Sequence, residues 1–118
     1  MTAPSVNDDI RSDAGFEPSL AAEGREDGSM ARVVSRFDSP SSPVLVAVWS
    51  AEPGVFDHPG GPGGETFIVA SGAGEIEIDG LGTHDLSPGV IVAVPPDTAS
   101  RMTVREPLRK FAVFPSEG

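Results

Sequence analysis

Short apolar runs, interrupted every few positions by glycine, proline, aspartate or serine, dominate the sequence from about residue 31 onwards. In residues 75–79 acidic and apolar side chains alternate strictly. This alternation predicts a strand that packs one face against the core and exposes the other to water, as in an antiparallel sheet. Residues 90–94 are apolar on both faces, as expected of a strand covered on both sides. The predicted strands are 32–36, 44–50, 54–58, 65–71, 74–79, 83–86, 90–94, 98–105 and 109–114.

Two tight turns separate some of these strands. Residues 79–82 read Asp-Gly-Leu-Gly, and residues 87–89 read Ser-Pro-Gly. Both sequences favour chain reversal, because glycine accepts positive φ and proline fixes φ. Short strands at this spacing, with no long helical period, are typical of a barrel or a two-sheet sandwich. The sequence therefore predicts an all-β fold.

Residues 1–30 have a different composition from the rest of the chain. They contain seven acidic residues and few large apolar ones, namely Ile10, Phe16 and Leu20. Such a segment buries too little apolar surface to offset its ordering entropy. We expect a mobile acidic N-terminal arm over 1–30 and one domain over 31–118. One turn of helix over 18–23, or ordering of the arm across a partner subunit, are the alternatives.

Composition removes several functions from consideration. The chain has 118 residues, a net charge of −10, no cysteine, no tyrosine and a single lysine, Lys110. Without cysteine there is no disulfide, thiolate zinc site or cysteine nucleophile. The negative charge argues against nucleic acid and anionic membranes as partners. No apolar run is long enough to span a bilayer and no signal peptide is evident, so we expect a cytoplasmic protein.

One spacing pattern is more specific than the strand pattern. Glu65 is followed after six residues by Gly72, and Gly89 is followed after five residues by Pro95. This arrangement resembles the two-motif signature of cupins, and the similarity extends over residues 44–114. The resemblance implies a cupin-type jelly-roll β-barrel with a flexible N-terminal arm. It also implies a homodimer, in which the arm could cross between subunits.

The end of the chain carries a narrower resemblance. Residues 102–111, which read MTVREPLRKF, are similar to the W-x-V-x-E-x-x-R-K-x-Y ending of the ureidoglycine aminohydrolase-like cupin subgroup. That subgroup implies hydrolysis of a nitrogenous metabolite. This sequence does not contain the full set of metal ligands of that subgroup. The second histidine position of the first motif is Gly60, and the histidine and asparagine positions of the second motif are Ser100 and Val104. Asp97 replaces a motif glycine.

Two residues remain at metal-ligand positions of the cupin motifs, His58 and Glu65. A catalytic zinc usually has three protein ligands, so a metal site would need another. His84 is the candidate, because it alternates with Leu86 and could face the interior; otherwise it is an exposed histidine beside a turn. Asp57 is a poor candidate, since neighbouring strand residues point to opposite faces. We expect no cofactor, with a divalent metal as the alternative.

Without a metal, Glu65 and His58 would form an acid/base couple. Trp49, Phe67, Ser100 and Met102 are the candidate ligand-binding residues. The sequence then predicts an enzyme acting on a small polar organic molecule by elimination, isomerisation, cyclisation or hydrolysis. The alternatives are a non-catalytic ligand-binding or accessory cupin and a metal-dependent enzyme using His58 and Glu65.

The glycine-rich segment and the basic residues near the end of the chain allow further expectations. The PGGPGG segment at residues 59–64 is interpreted as a flexible lid over the barrel mouth or as a plain surface hairpin loop. Arg101 and Arg105 should face outward and pair with surface acids. Arg109 or Lys110 could pair with Glu106, and Schiff-base chemistry would depend on Lys110 alone.

Overall fold

The computed structural model describes residues 9–20, 24, 26–37 and 44–115. Every regular element in these residues is a β-strand, which confirms the predicted all-β fold. The strands are β1 (Glu17–Pro18), β2 (Met30–Phe37), β3 (Val44–Ala51), β4 (Gly54–His58), β5 (Glu65–Ile78), β6 (Gly82–Leu86), β7 (Ile91–Val94) and β8 (Ser100–Pro115). The described residues include no helix long and apolar enough to cross a membrane.

The strands form two facing walls joined by β5 and β8, and all pairings are antiparallel. The first wall has the order β1-β2-β3-β8-β5-β7, using the later part of β8 and the beginning of β5. The second wall has the order β4-β8-β5-β6, using the opposite parts of those strands. Two walls that share two bent strands make the jelly-roll barrel expected from the sequence.

The bend in β5 and β8 lies where Gly72 approaches Pro107. The pairing register shifts on both sides of Gly72, at Ser71 and Ala73. Gly72 has φ +95°, and a Cβ on it would lie 2.2 Å from the carbonyl oxygen of Pro107. The sequence predicted a break here, with separate strands over 65–71 and 74–79 and over 98–105 and 109–114. That prediction was wrong because the glycine lets the paired strands bend without separating.

The core lies between the walls and follows the predicted alternation on β5. Ile76 and Ile78 are 1% and 4% exposed, while Glu77 faces solvent. The prediction that residues 90–94 are covered on both sides was wrong. Val92 is buried, but Ile91 on the other face is 68% exposed. The cause is the position of β7 at the edge of the first wall, where its only strand partner among the described residues is β5.

Residues 9–16 lie against the outer side of the first wall, whereas Ser19, Leu20, Asp27 and Ser29 border the space between the walls. β1 pairs with the start of β2, so residues 17–18 are extended rather than part of the helical turn considered for 18–23. Arg32 donates a hydrogen bond to the carbonyl of Asp9, and Arg109 donates one to the carbonyl of Ile10. The guanidinium of Arg109 also lies 5.0 Å from the ring centroid of Phe16. Residues 21–23 fall outside the described residues, and the mobility of the arm stays a prediction.

Asp97, at the position of a motif glycine, has the one positive φ among the described non-glycine residues, +55°. Its amide donates to the carbonyl of Gly61 at 2.8 Å. Aspartate tolerates this left-handed conformation better than a β-branched residue does. We therefore expect Asp97→Val to lower the free energy of unfolding by about 1–2 kcal/mol, whereas Asp97→Gly should not. Urea denaturation of both variants checks this, and equal losses would contradict the backbone explanation.

Candidate active site

A cavity of about 550 Å³ lies between the two walls. Most of its lining comes from alternate, inward-facing positions of β2, β3, β4, β5 and β8. Ser19, Leu20, Asp27 and Ser29 of the N-terminal segment also line it. The four residues predicted to bind a ligand all line this cavity: Trp49, Phe67, Ser100 and Met102. The two predicted acid/base residues, His58 and Glu65, line it as well. Their roles stay predictions, but the structure brings all six residues to one cavity.

Aromatic side chains form much of the cavity wall. Trp49 on β3 and Phe56 on β4 meet edge to face, with ring centroids 5.5 Å apart. Phe67 on β5 is 2% exposed and lines the same space. Rings in this arrangement can hold a small organic molecule by dispersion and exclude water from polar groups beside it. The cavity is therefore suited to a ligand with both apolar and polar parts.

The polar centre of the cavity is an ion pair between Glu65 and Lys110. The Lys110 Nζ donates a hydrogen bond to Glu65 Oε2 at 2.7 Å, and the two residues are only 7% and 8% exposed. The ammonium also lies 4.1 Å from the ring centroid of Phe67 and 5.0 Å from that of Trp49. Burying either charge alone would be costly, so each requires the other. Cation–π contacts add to the stabilisation of the ammonium.

Lys110 was not among the predicted site residues, and the suggestion that Arg109 or Lys110 pairs with Glu106 was wrong. Lys110 pairs with Glu65, and Arg109 pairs with Asp13. A signal for this position was present in the sequence. Leu108 and Ala112, two positions to either side of Lys110, are apolar and buried. Because strand side chains alternate between faces, Lys110 had to point into the barrel with them.

His58 does not form the expected couple with Glu65. It ends β4, and its Nδ1 accepts a hydrogen bond from the backbone amide of Gly60 at 3.2 Å. A neutral imidazole that accepts at Nδ1 carries its proton on Nε2. The carboxylate of Glu65 is bound by Lys110 instead. The predicted His58–Glu65 pair is therefore replaced by a Lys110–Glu65 pair, with His58 at another part of the cavity wall.

The predicted metal ligands do not fit a metal ion. His84 is exposed on β6, and its Nε2 lies 2.8 Å from the carbonyl oxygen of Leu81. Across the described ranges, no three His, Asp or Glu side chains are grouped so that they could hold a metal. A divalent cation bound by Glu65 would need the place beside its carboxylate that the ammonium of Lys110 occupies. The structure therefore does not bring His58, Glu65 and His84 together as a metal site.

Asp57 is among the residues around the cavity, but its side chain is 66% exposed and faces solvent, as predicted from its place beside His58. It pairs with Arg101 at 2.7 Å on the outer surface. The hydrogen bond from Arg101 lowers the pKa of the Asp57 carboxyl below its ordinary value. Arg105 likewise pairs with Glu75 at 3.2 Å. These contacts confirm the predicted outward orientation of both arginines.

The glycine-rich segment 59–64 forms one edge of the cavity. A Cβ on Gly60 would lie 2.6 Å from the backbone oxygen of Thr98, and one on Gly64 would lie 2.5 Å from that of Val94. Both glycines have positive φ. The segment is therefore packed directly against the connection between β7 and β8. Close backbone packing explains the glycines, and opening of this segment as a lid stays a prediction.

The fold and the cavity together define a cupin. The chain belongs to the EutQ-like cupin domain family, which matches residues 38–112. No curated protein matches the sequence. The resemblance to cupins in general is thereby confirmed, whereas the narrower resemblance to the ureidoglycine aminohydrolase-like subgroup stays a prediction.

Solved structures share this fold at low sequence identity. KdgF from Halomonas sp. is 19% identical with a TM-score of 0.65, and the match covers 94% of this chain and 93% of that one. A protein of unknown function from Acidithiobacillus ferrooxidans is 24% identical with a TM-score of 0.58, covering 84% and 85%. A chain described among DMSP lyases is 16% identical with a TM-score of 0.65, covering 87% and 61%. Identities this low establish the fold alone.

Proposed function

We propose that this cupin binds a small polar organic molecule in its barrel and transfers a proton to or from it through Glu65. The observation that carries the proposal is the Glu65–Lys110 pair in the wall of an aromatic cavity of about 550 Å³. The reaction would be of the elimination, isomerisation, cyclisation or hydrolysis type. A lyase among the structural neighbours agrees with this reaction class.

The pair gives Glu65 a means of exchanging protons within the cavity, where both groups are buried. Lys110 can donate a proton to the carboxylate and take one back across 2.7 Å. A group that bonds a substrate on one side and a proton reservoir on the other is suited to general acid–base catalysis. Trp49 and Phe67 would position the apolar part of the substrate. The nitrogenous substrate suggested by residues 102–111 is compatible with this arrangement.

A second candidate function is ligand binding without catalysis. The observation that favours it is the mutual neutralisation of Glu65 and Lys110, which leaves no net charge between them. Under this alternative the pair would orient a ligand by hydrogen bonds only. Homodimerisation and a cytoplasmic location are compatible with either function and stay predictions.

Solvent-deuterium exchange separates catalysis from binding. The protein is incubated in D2O with pyruvate and with malonamide, two small molecules whose C–H bonds are weakly acidic, and proton NMR follows deuterium incorporation. We expect the wild type to accelerate exchange on at least one probe, and Glu65→Gln to slow it by about 10²- to 10⁴-fold, the usual contribution of a general base. Glu77→Gln, on the outer face of the same strand, is the matched control and should exchange like the wild type.

Glu65→Gln also leaves the ammonium of Lys110 without its carboxylate, so the variant could fail to fold. Glu65→Asp keeps the charge and withdraws the carboxylate from the cavity, and it should show an intermediate loss. The proton-transfer proposal is overturned if the wild type exchanges neither probe, or if Glu65→Gln and Glu65→Asp both exchange at the rate of the wild type. Binding of either probe without exchange would favour the second function.

A further inference from the structure

The side chain of Lys110 combines three properties that rarely occur together in one lysine. It is 7% exposed, it lines the cavity, and its Nζ is in direct contact with a carboxylate. It is also the single lysine of the chain. Lysines that act as nucleophiles are desolvated in apolar sites, where the neutral amine is favoured over the ammonium. We propose that Lys110 captures aldehydes or ketones in this cavity as a Schiff base.

Formation of the reactive amine requires one proton to move over a short distance. Transfer from Lys110 Nζ to Glu65 Oε2, 2.7 Å away, converts the ion pair into a neutral amine and a carboxylic acid. Neutralising both groups removes the desolvation cost of two buried charges. The cation–π contacts with Phe67 and Trp49 favour the ammonium and oppose the transfer. The group that accepts the proton is already in contact with the amine.

The carbonyl step balances within this pair of residues. The lone pair of Nζ attacks the carbonyl carbon, the carbonyl π electrons move to oxygen, and that oxygen takes the proton from Glu65. The nitrogen then returns one proton to Glu65, which gives a neutral carbinolamine. Glu65 protonates the hydroxyl, which leaves as water as the C=N bond forms. The products are a protonated imine, a carboxylate and one water molecule, with net charge unchanged.

The protonated imine would make the same contacts in the site as the ammonium of Lys110. It keeps its positive charge beside the carboxylate of Glu65 and the rings of Phe67 and Trp49. An imine of this kind acidifies the C–H bond next to the former carbonyl carbon, and Glu65 is placed to remove that proton. This last step rests on the proposed function, and it specifies the substrate class as a small aldehyde or ketone.

Reductive trapping with benzaldehyde tests the capture step. The full-length protein carrying Leu81→Lys is treated with benzaldehyde and cyanoborohydride, and peptide mass spectrometry measures the benzyl group on each lysine. Leu81 lies on the β5–β6 turn and is 52% exposed, so the introduced lysine is a solvent-exposed reference in the same molecule. We expect modification of Lys110 to be at least about tenfold faster than modification of the reference, because the cavity desolvates and positions its amine. Adding Glu65→Gln should remove this advantage at Lys110 and leave the reference rate unchanged.

The outcomes separate this inference from the proposed function. Benzaldehyde has no C–H bond next to its carbonyl, so its capture does not depend on proton removal from carbon. Modification of Lys110 at or below the rate of the reference lysine would overturn the inference, and this comparison needs no change at the site itself. Failed trapping together with Glu65-dependent deuterium exchange would leave the proposed function standing. Rapid trapping without such exchange would support the nucleophile and overturn the proton transfer.

Discussion

Lys110→Met is expected to lower the free energy of unfolding by about 3–5 kcal/mol, the usual cost of removing one partner from a buried ion pair. Methionine retains most of the volume of the lysine side chain, so the loss comes mainly from charge. The carboxylate of Glu65, 8% exposed, would be left without its hydrogen-bond donor. It must then become protonated or draw water into the apolar cavity. Urea denaturation monitored by the fluorescence of Trp49 measures the change.

Two further variants show whether the loss of stability comes from breaking the Glu65–Lys110 ion pair. The double variant Lys110→Met/Glu65→Leu removes both charges and should recover most of the stability, since apolar replacements of buried pairs are often neutral or stabilising. Arg105→Met breaks an exposed pair with Glu75 and should cost less than about 1 kcal/mol. If Lys110→Met cost no more than Arg105→Met, the pair would not be buried as described.

Gly72→Ala is expected to destabilise the fold by about 2–4 kcal/mol, from overpacking together with a left-handed backbone. The added Cβ would lie 2.2 Å from the carbonyl oxygen of Pro107 and 2.5 Å from the Cα of Leu108. Both atoms belong to the backbone of β8, so no side-chain rotation can relieve the contact. The bend in β5 and β8 that joins the two walls would have to open. Thermal and urea unfolding give the size of the loss.

Gly80→Ala provides a matched control for the backbone contribution. Gly80 has φ +77° but no atom within 4 Å of an added Cβ. Its substitution carries only the penalty for a left-handed alanine, about 1–2 kcal/mol. We expect Gly72→Ala to cost clearly more than Gly80→Ala. Equal losses in the two variants would mean that β5 and β8 do not approach each other closely at the bend.

Much of the fold follows from local pattern in the sequence. The bounds of β4 agree with the prediction for residues 54–58, and the alternation over 75–79 assigns the correct face to Ile76 and Ile78. The pattern fails where pairing with distant strands decides the outcome. Residues 90–94 are apolar throughout, yet Ile91 is exposed, because the place of a strand at an edge depends on topology rather than on its own residues.

The candidate site was predictable only in part for a similar reason. Motif spacing identified Glu65, and strand alternation was sufficient to predict that Phe67 and Met102 face inward. The partner of Glu65 was missed because a lysine in a charged stretch such as Arg-Glu-Pro-Leu-Arg-Lys is normally a surface residue. Glu65 and Lys110 are 45 residues apart in the chain and meet only when β5 and β8 pair. Their interaction is therefore a property of the sheet register.

The position of the Lys110 ammonium can be tested directly, because a sample labelled with ¹⁵N-lysine gives a single Nζ resonance. A buried, hydrogen-bonded ammonium should show protons that exchange slowly with water at neutral pH, with nuclear Overhauser effects to the ring protons of Phe67 and Trp49. In Glu65→Gln the Nζ protons should exchange faster. Rapidly exchanging protons in the wild type, without contacts to either ring, would place the lysine in solvent and contradict the site described above.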